Sequence, residues 1–262
     1  NALKIQADYF SEKREGIFLE RASLPLYIGV STKPYVNVGK MKNHGFDTSL
    51  EYNQRVGQVR LSGKANFTYA HNTIIDNDQP DWKYPYLNRR GQMLWQQYGL
   101  VAAGLFESQA DIDSWPTQTF GEVKPGDIKY IDINGDGKID TNDEKPIGWA
   151  AVPEIVYGFG LSAAWKGLDC SVFFQGAGHV TLQQSGSAIQ AFSARNMMES
   201  GVYEDIYYNH WSEDNPNPNA KYPRLSIGSN KNNFRNSTFW QKDMSYLRLK
   251  TVEIGYNFPS KW

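Results

Sequence analysis

The feature that most constrains this chain is a two-residue alternation of apolar and polar side chains. In residues 59–70, Val59, Leu61, Gly63, Ala65, Phe67 and Tyr69 share one parity, and Arg60, Ser62, Lys64, Asn66 and Thr68 share the other. Successive side chains of a strand point to opposite faces, so this segment predicts a strand with one apolar and one wet face. The pattern recurs at Leu3, Ile5, Ala7 and Tyr9, at Phe46, Leu50 and Tyr52, at Tyr157, Phe159, Leu161, Ala163 and Trp165, and at Leu168, Cys170, Val172 and Phe174. It closes with Val252, Ile254, Tyr256 and Phe258.

These segments predict strands near 2–10, 45–53, 58–71, 154–165, 168–178 and 246–258. The links around 53–58 and 166–167 are tight, whereas those at roughly 11–44, 72–153 and 179–245 are long. Short and long links alternate strictly, so in a meander all turns fall on one side and all loops on the other. The expected fold is all-β: an antiparallel up-and-down meander, part of a large transmembrane β-barrel with long extracellular loops. Structureless loops of that length are unusual in a soluble domain. No run of about 18 apolar residues predicts a membrane helix. The mean hydropathy of −0.59 suits a barrel, whose strands show lipid only every second residue.

On this reading Val59, Leu61, Phe67, Tyr157, Phe159, Leu161, Val172, Phe174, Val252 and Ile254 face lipid, and Asp47, Glu51, Arg60 and Lys64 face the lumen. Tyr9, Tyr52, Tyr69, Trp165 and Tyr256 suit an interfacial girdle. Leu247 and Leu249 lie out of phase with Val252, which predicts a β-bulge near Lys250 or the point where the strand leaves the lipid.

Charge excludes one class of partner: 27 Lys and Arg against 28 Asp and Glu is not the basic excess of a nucleic-acid binder. Cys170 is the only cysteine, and His44, His71, His179 and His210 are scattered without zinc-ligand spacing. No nucleophile elbow, phosphate loop or dinucleotide fingerprint occurs. The acidic pairs Glu107 with Asp111 and Glu213 with Asp214 fall in polar loops or at a helix start, where solvated charge is the default. No catalytic residue is assigned, and the chain is expected not to be an enzyme. The rival readings are a secreted, calcium-stabilised β-sandwich that binds carbohydrate, and a β-rich glycoside hydrolase. Ser108 opens a short helix by its capping pattern, and the Asn- and Pro-rich stretch after Trp211 reads as irregular.

One loop carries a metal-binding pattern. Asp132, Asn134, Asp136 and Asp140 occupy positions 1, 3, 5 and 9 of an EF-hand-type loop, with Gly137 at position 6 and Asp143 at position 12. Calcium takes six to eight oxygens, and the glycine turn lets them converge. The expected ligands are Asp132, Asn134, Asp136, the Lys138 carbonyl, Asp140 and Asp143, with calcium stiffening the loop. The alternative is an Asp/Asn/Gly-rich turn that binds nothing. The long loops also carry aromatics that could stack on a ligand, foremost Trp82, Tyr84, Trp95, Trp115 and Trp211. Packing within the loops is their ordinary role.

Four segments resemble one family. Asn37-Val-Gly-Lys-Met-Lys-Asn-His-Gly-Phe-Asp47 looks like the strand entry of SusC/RagA-type TonB-dependent transporters. The segments from Gly104 to Asp113, Gly126 to Gly137 and Ser245 to Pro259 are similar to further parts of that family, in its order. The resemblance implies a plugged barrel of about twenty-two strands in the bacterial outer membrane, importing glycans or peptides. It implies a SusD-like surface lipoprotein as lid and an inner-membrane TonB complex as the source of energy. Residues 1–262 then supply about six strands from the C-terminal third. The N-terminal extension, TonB box, plug and final strands lie elsewhere, and residues 259–262 read as the next periplasmic turn.

Overall fold

Six strands pair in chain order into one antiparallel sheet in the computed structural model, which describes residues 2–24, 29, 32–193, 201–228 and 230–258. They are β1 (Leu3–Glu20), β2 (Tyr35–Val56), β3 (Val59–Asp76), β4 (Ile155–Trp165), β5 (Leu168–Gly178) and β6 (Tyr246–Tyr256). The two short links are two-residue turns. Gly57 takes φ 61°, and Lys166 and Gly167 both take left-handed φ, 49° and 89°. Such turns match the right-handed twist of the flanking strands. The expected turn at 259–262 lies outside the described residues.

Register keeps each strand's apolar set on one face. Leu3 opposes Tyr52, Ile5 opposes Leu50, and Tyr9, Phe46 and Tyr69 form one row. Phe159 sits between Ala65 and Phe174, and Leu161 between Gly63 and Val172. The bulge is at Lys250: Phe173 pairs with Thr251 and Phe174 with Leu249, so Lys250 is skipped. Skipping one residue restores the phase and brings Leu247 and Leu249 onto the same face as Val252 and Ile254.

This apolar face is bare. Leu161 is 68% and Ile254 78% exposed, and no second sheet covers them among the described residues. A sandwich buries such residues between its sheets, so that rival architecture is excluded. On β3 the apolar band runs from Val59 to Tyr69, matching the roughly 9–11 residues of a strand that crosses a bilayer.

The expectation of a long loop at 11–44 is corrected by the structure. β1 continues to Glu20, β2 begins at Tyr35, and the pairing persists from Ser11–His44 up to Glu20–Tyr35 with irregularities near Ile17. β2 has 22 residues, a rise of roughly 75 Å at about 3.4 Å per residue. That is far more than a hydrocarbon core of about 30 Å requires. The tyrosines at 9 and 69 therefore lie within strands rather than at their ends. They mark a level on a wall that stands well above the apolar band.

The other two long links fold together. Residues 77–154 give Leu100, Leu105, Ile128, Tyr130 and Ile139, and residues 179–245 give Ala191, Ile206, Trp211, Tyr222 and Trp240, to one buried cluster. Short pairings hold the loops: Ala102–Leu105 with Ile128–Tyr130, and Thr117–Gln118 with Lys138–Ile139. Leu100 accepts from Thr238 and donates to Asn236, joining one loop to the other. Helix α1 (Gln109–Asp113) starts at Ser108, whose hydroxyl accepts from the Asp111 amide at 3.2 Å. Helix α2 (Glu204–Asn209) was not expected, because Tyr203 at its start offers no side-chain cap.

Candidate functional site

The chemistry of this chain is concentrated in the loop body. Its polar centre is Asp127, fully buried. One carboxylate oxygen meets the Arg224 guanidinium at 2.8 Å and accepts from Asn233 at 2.8 Å and Asn230 at 3.0 Å. The other accepts from the Lys124 amide at 2.8 Å. Beside it Asn232 donates to the Ile128 carbonyl, and Gln118 donates to Asn232 while accepting from the Tyr130 amide. The Tyr130 hydroxyl donates to the Asn232 carbonyl, and burial pushes its phenol pKa up. Buried charge is tolerated only when it is paired and hydrogen-bonded, and Asp127 meets both conditions. Sequence reasoning missed this hub. The run Asn230, Asn232 and Asn233 was its one available signal.

A second cluster ties the loops to the wall. Glu154, nearly buried, bridges His71 at 2.5 Å and His179 at 3.1 Å. The Trp149 indole stacks on His179 with centroids 3.9 Å apart. Three segments distant in sequence meet here, which scattered histidines could not reveal.

The acidic loop folds on itself. Asp132 accepts from the amides of Gly135 and Gly137, Asn134 from Asp136, and Asp136 from Lys138. Asp140 caps a short 3-10 turn, Thr141–Asp143, by accepting from the Asn142 amide. Asp143 is fully buried, and its carboxylate accepts from the amides of Ile133, Asn134 and Asp140. Among the described residues no three His, Cys, Asp or Glu side chains converge at metal-holding distance. Asp143 thus closes the loop by hydrogen bonds, while Asp132, Asn134, Asp136 and the Lys138 carbonyl lie along its outer part.

The aromatic candidates separate by burial. Trp211 is buried, its ring packed where a side chain on Gly126 would otherwise stand. Trp115 is half-buried, donates to the Tyr130 carbonyl at 2.7 Å and carries the Lys129 ammonium over its ring at 3.9 Å. Lys129 also pairs with Asp111 at 2.6 Å. Burial raises the Asp111 pKa, but the Lys129 ammonium and the Glu107 amide more than offset this, leaving it below the ordinary carboxylate range. Tyr84 stacks on Tyr86, whose hydroxyl donates to the Asn142 carbonyl in the acidic loop. Trp82 and Trp95 are exposed.

No family model matches the chain. Individual proteins do. TonB-dependent receptor P3 of Formosa agariphila is 27% identical over 280 residues, covering 100% of this chain and 26% of that receptor. TonB-dependent receptor SusC of Bacteroides thetaiotaomicron is 21% identical over 257 residues, covering 93% of this chain and 23% of its own. The RagAB peptide importer in its open-open state superposes with a TM-score of 0.70 at 21% identity, covering 99% of this chain and 27% of the compared chain. Over nearly its whole length the chain is similar to TonB-dependent receptors of the SusC/RagA type. It spans about a quarter of the length of the relatives it matches. In a SusC/RagA-type receptor of the outer membrane the apolar face of the sheet meets lipid and the opposite face lines the barrel. The six strands are an open part of that barrel wall.

Proposed function

We propose that this chain supplies barrel wall and external vestibule for the TonB-dependent uptake of large nutrients, glycans or peptides. The observation that carries this reading is the loop body. Two loops with a shared apolar core and a buried ionic hub stand on a wall taller than a membrane. They leave Trp82, Trp95, Tyr203, Tyr207 and Tyr208 exposed. A folded body of this kind forms a fixed receiving surface, which is what a vestibule needs. The similarity to a structure described as a peptide importer supports import. A SusD-like surface lipoprotein docks on the loop body as lid, and the TonB complex supplies energy. No catalytic step is assigned to these residues.

The acidic loop is included in this reading as a calcium site in which Asp132, Asn134, Asp136, the Lys138 carbonyl and Asp140 are the ligands. Supporting it are the oxygen-bearing side chains at positions 1, 3, 5 and 9 of the loop with Gly137 at the turn, and the carboxylate-to-amide bonds that order 132–138. Bound calcium would supply stiffness to the loop.

Uptake is the test. Cells lacking the receptor gene should fail to grow on one polysaccharide or peptide source, and the wild-type gene should restore growth only when TonB is present. Growth on every source without the gene would remove the reading. Release of sugar from a glycan by the purified receptor would favour the hydrolase.

A further inference from the structure

A cavity of about 340 Å³ lies between the polar face of the wall and the loop that follows β3. Glu12, Asn43 and Asn72 form one row across β1, β2 and β3, with Arg14 one step higher. Met93 and Trp95 close the cavity from the loop side.

The loop is pinned on both sides of Trp95. The Leu94 amide donates to Asn72 at 2.7 Å, the Ile74 amide to the Gln92 carbonyl at 2.9 Å and the Gly91 amide to the Ile74 carbonyl at 2.8 Å. Beyond it Gln96 is buried and donates to the carbonyls of Ile147 at 3.1 Å and Gly148 at 2.9 Å. Trp95 itself takes φ 60° and is 65% exposed. A bulky residue in the left-handed region is strained, and such strain persists where the surroundings impose it, often at ligand sites. The result is a rigid indole held out from a buried base. Among the described residues neither its indole N–H nor the Asn43 side-chain carboxamide has a hydrogen-bond partner.

We infer that this cavity binds a neutral saccharide ring, stacked on Trp95 and hydrogen-bonded by Asn43 and the Glu12–Arg14 pair. The inference rests on the importer reading and names a cargo-contact site within it. Pockets of a few hundred Å³ that combine apolar walls with a few placed polar groups suit small ligands. The indole offers a flat apolar face for the C–H side of a sugar and an N–H at its edge. Glu12 and Arg14 bond each other at 2.7 Å, so they offer adjacent acceptors and donors to hydroxyls, and Glu154 at the cavity's edge is already engaged by His71 and His179. The charged groups of the lining are thus largely spent on one another or on the wall, which leaves a peptide terminus little to pair with. Nor does β2 offer a peptide free main-chain groups, because it is paired on both sides from Met41 to Gly45. Peptide capture by strand addition needs an open edge.

The test uses receptor purified from outer membranes in detergent, titrated with neutral glucose-, galactose-, mannose- and xylose-based trisaccharides and with a tetrapeptide library. At least one trisaccharide should bind. Trp95→Ala should weaken it at least tenfold, Asn43→Ala several-fold, and Trp95→Phe should keep most of the affinity. Heat-modifiable migration on gels confirms that each variant barrel is folded. Absence of trisaccharide binding, or binding that Trp95→Ala leaves unchanged, overturns the site. Tetrapeptide binding that depends on Trp95 overturns the ligand class. Receptor-dependent uptake with Trp95-independent binding removes the site and leaves the importer reading. Trp95-dependent binding without receptor-dependent uptake does the reverse.

Discussion

Asp127 holds two loops together through four groups that lie about a hundred residues further along the chain or three residues before it. Its carboxylate is fully buried and pairs with Arg224, Asn230, Asn233 and the Lys124 amide. Removing one partner of a buried pair leaves the other charge uncompensated, at a cost of about 3–5 kcal/mol. Asp127→Ala should therefore loosen the loop body while leaving the strands paired. Hydrogen exchange should show faster exchange of the Ile128, Arg224 and Asn233 amides with β2–β5 unchanged. Equal protection in the variant would show that the apolar cluster holds the loops without it. The neighbouring glycine follows the same logic of close approach. Gly126 takes φ 85°, and any side chain there would collide with the Trp211 ring. Trp211 is by sequence a candidate for stacking on cargo, and its burial gives it a packing role in the loop core instead. Nothing in its local sequence distinguished it from exposed Trp95, because both sit in polar, irregular stretches.

At the scale of the element, the acidic loop makes the most specific prediction. Its spacing was legible from sequence, and the structure adds that Asp143 is buried and bonded to three amides. Calorimetry of the intact receptor should show a calcium-binding event that Asp132→Ala and Asp136→Ala abolish. Calcium should be preferred to magnesium, since flexible oxygens suit its larger, variable shell. Identical heats in wild type and both variants would remove the metal and leave a self-closed turn. Asp143→Ala should instead lower loop stability with or without calcium, because its amides lose their acceptor. The hairpin β1–β2 shows where element boundaries escaped the sequence. Alternation stops near Tyr9 and Phe46, yet pairing continues to Glu20 and Tyr35. Above that row Ser11, Lys13 and Lys42, on the face of Tyr9 and Phe46, are as polar as Glu12, Arg14 and Asn43 on the other. Both faces of the wall meet water there, so a strand has no reason to alternate.

For the whole molecule the sheet's two faces set the prediction. Leu161 sits midway along β4 on the bare apolar face, so Leu161→Arg places a charge in the hydrocarbon. Such a change costs about 2–4 kcal/mol near the bilayer midplane, and the amount of folded receptor in the outer membrane should fall. Ser162→Arg, on the opposite face beside Ser62 and Ser171, should assemble normally. Equal assembly of both variants would mean that the lipid face has been misassigned. The long loop at 179–245 is not separable, and deleting residues 188–235 from it tests this. Ala191, Ile206, Trp211 and Tyr222 belong to the core shared with the other loop, so its deletion should unfold both.

What the sequence by itself determined was the part of the molecule that touches two different solvents. Lipid on one side and water on the other force a period of two, and that period yielded the strands, their turns, their faces and the skip at Lys250. The acidic turn at 132–143 was legible for a related reason, since its residues are local and their order alone shapes it. Only the tertiary structure decided the loop body: the Asp127 hub, the His71–Glu154–His179 bridge, and which tryptophans are buried and which are displayed. Those contacts join residues far apart in the chain and surrounded by one solvent. No local periodicity records them, and they exist only once the loops have packed against each other.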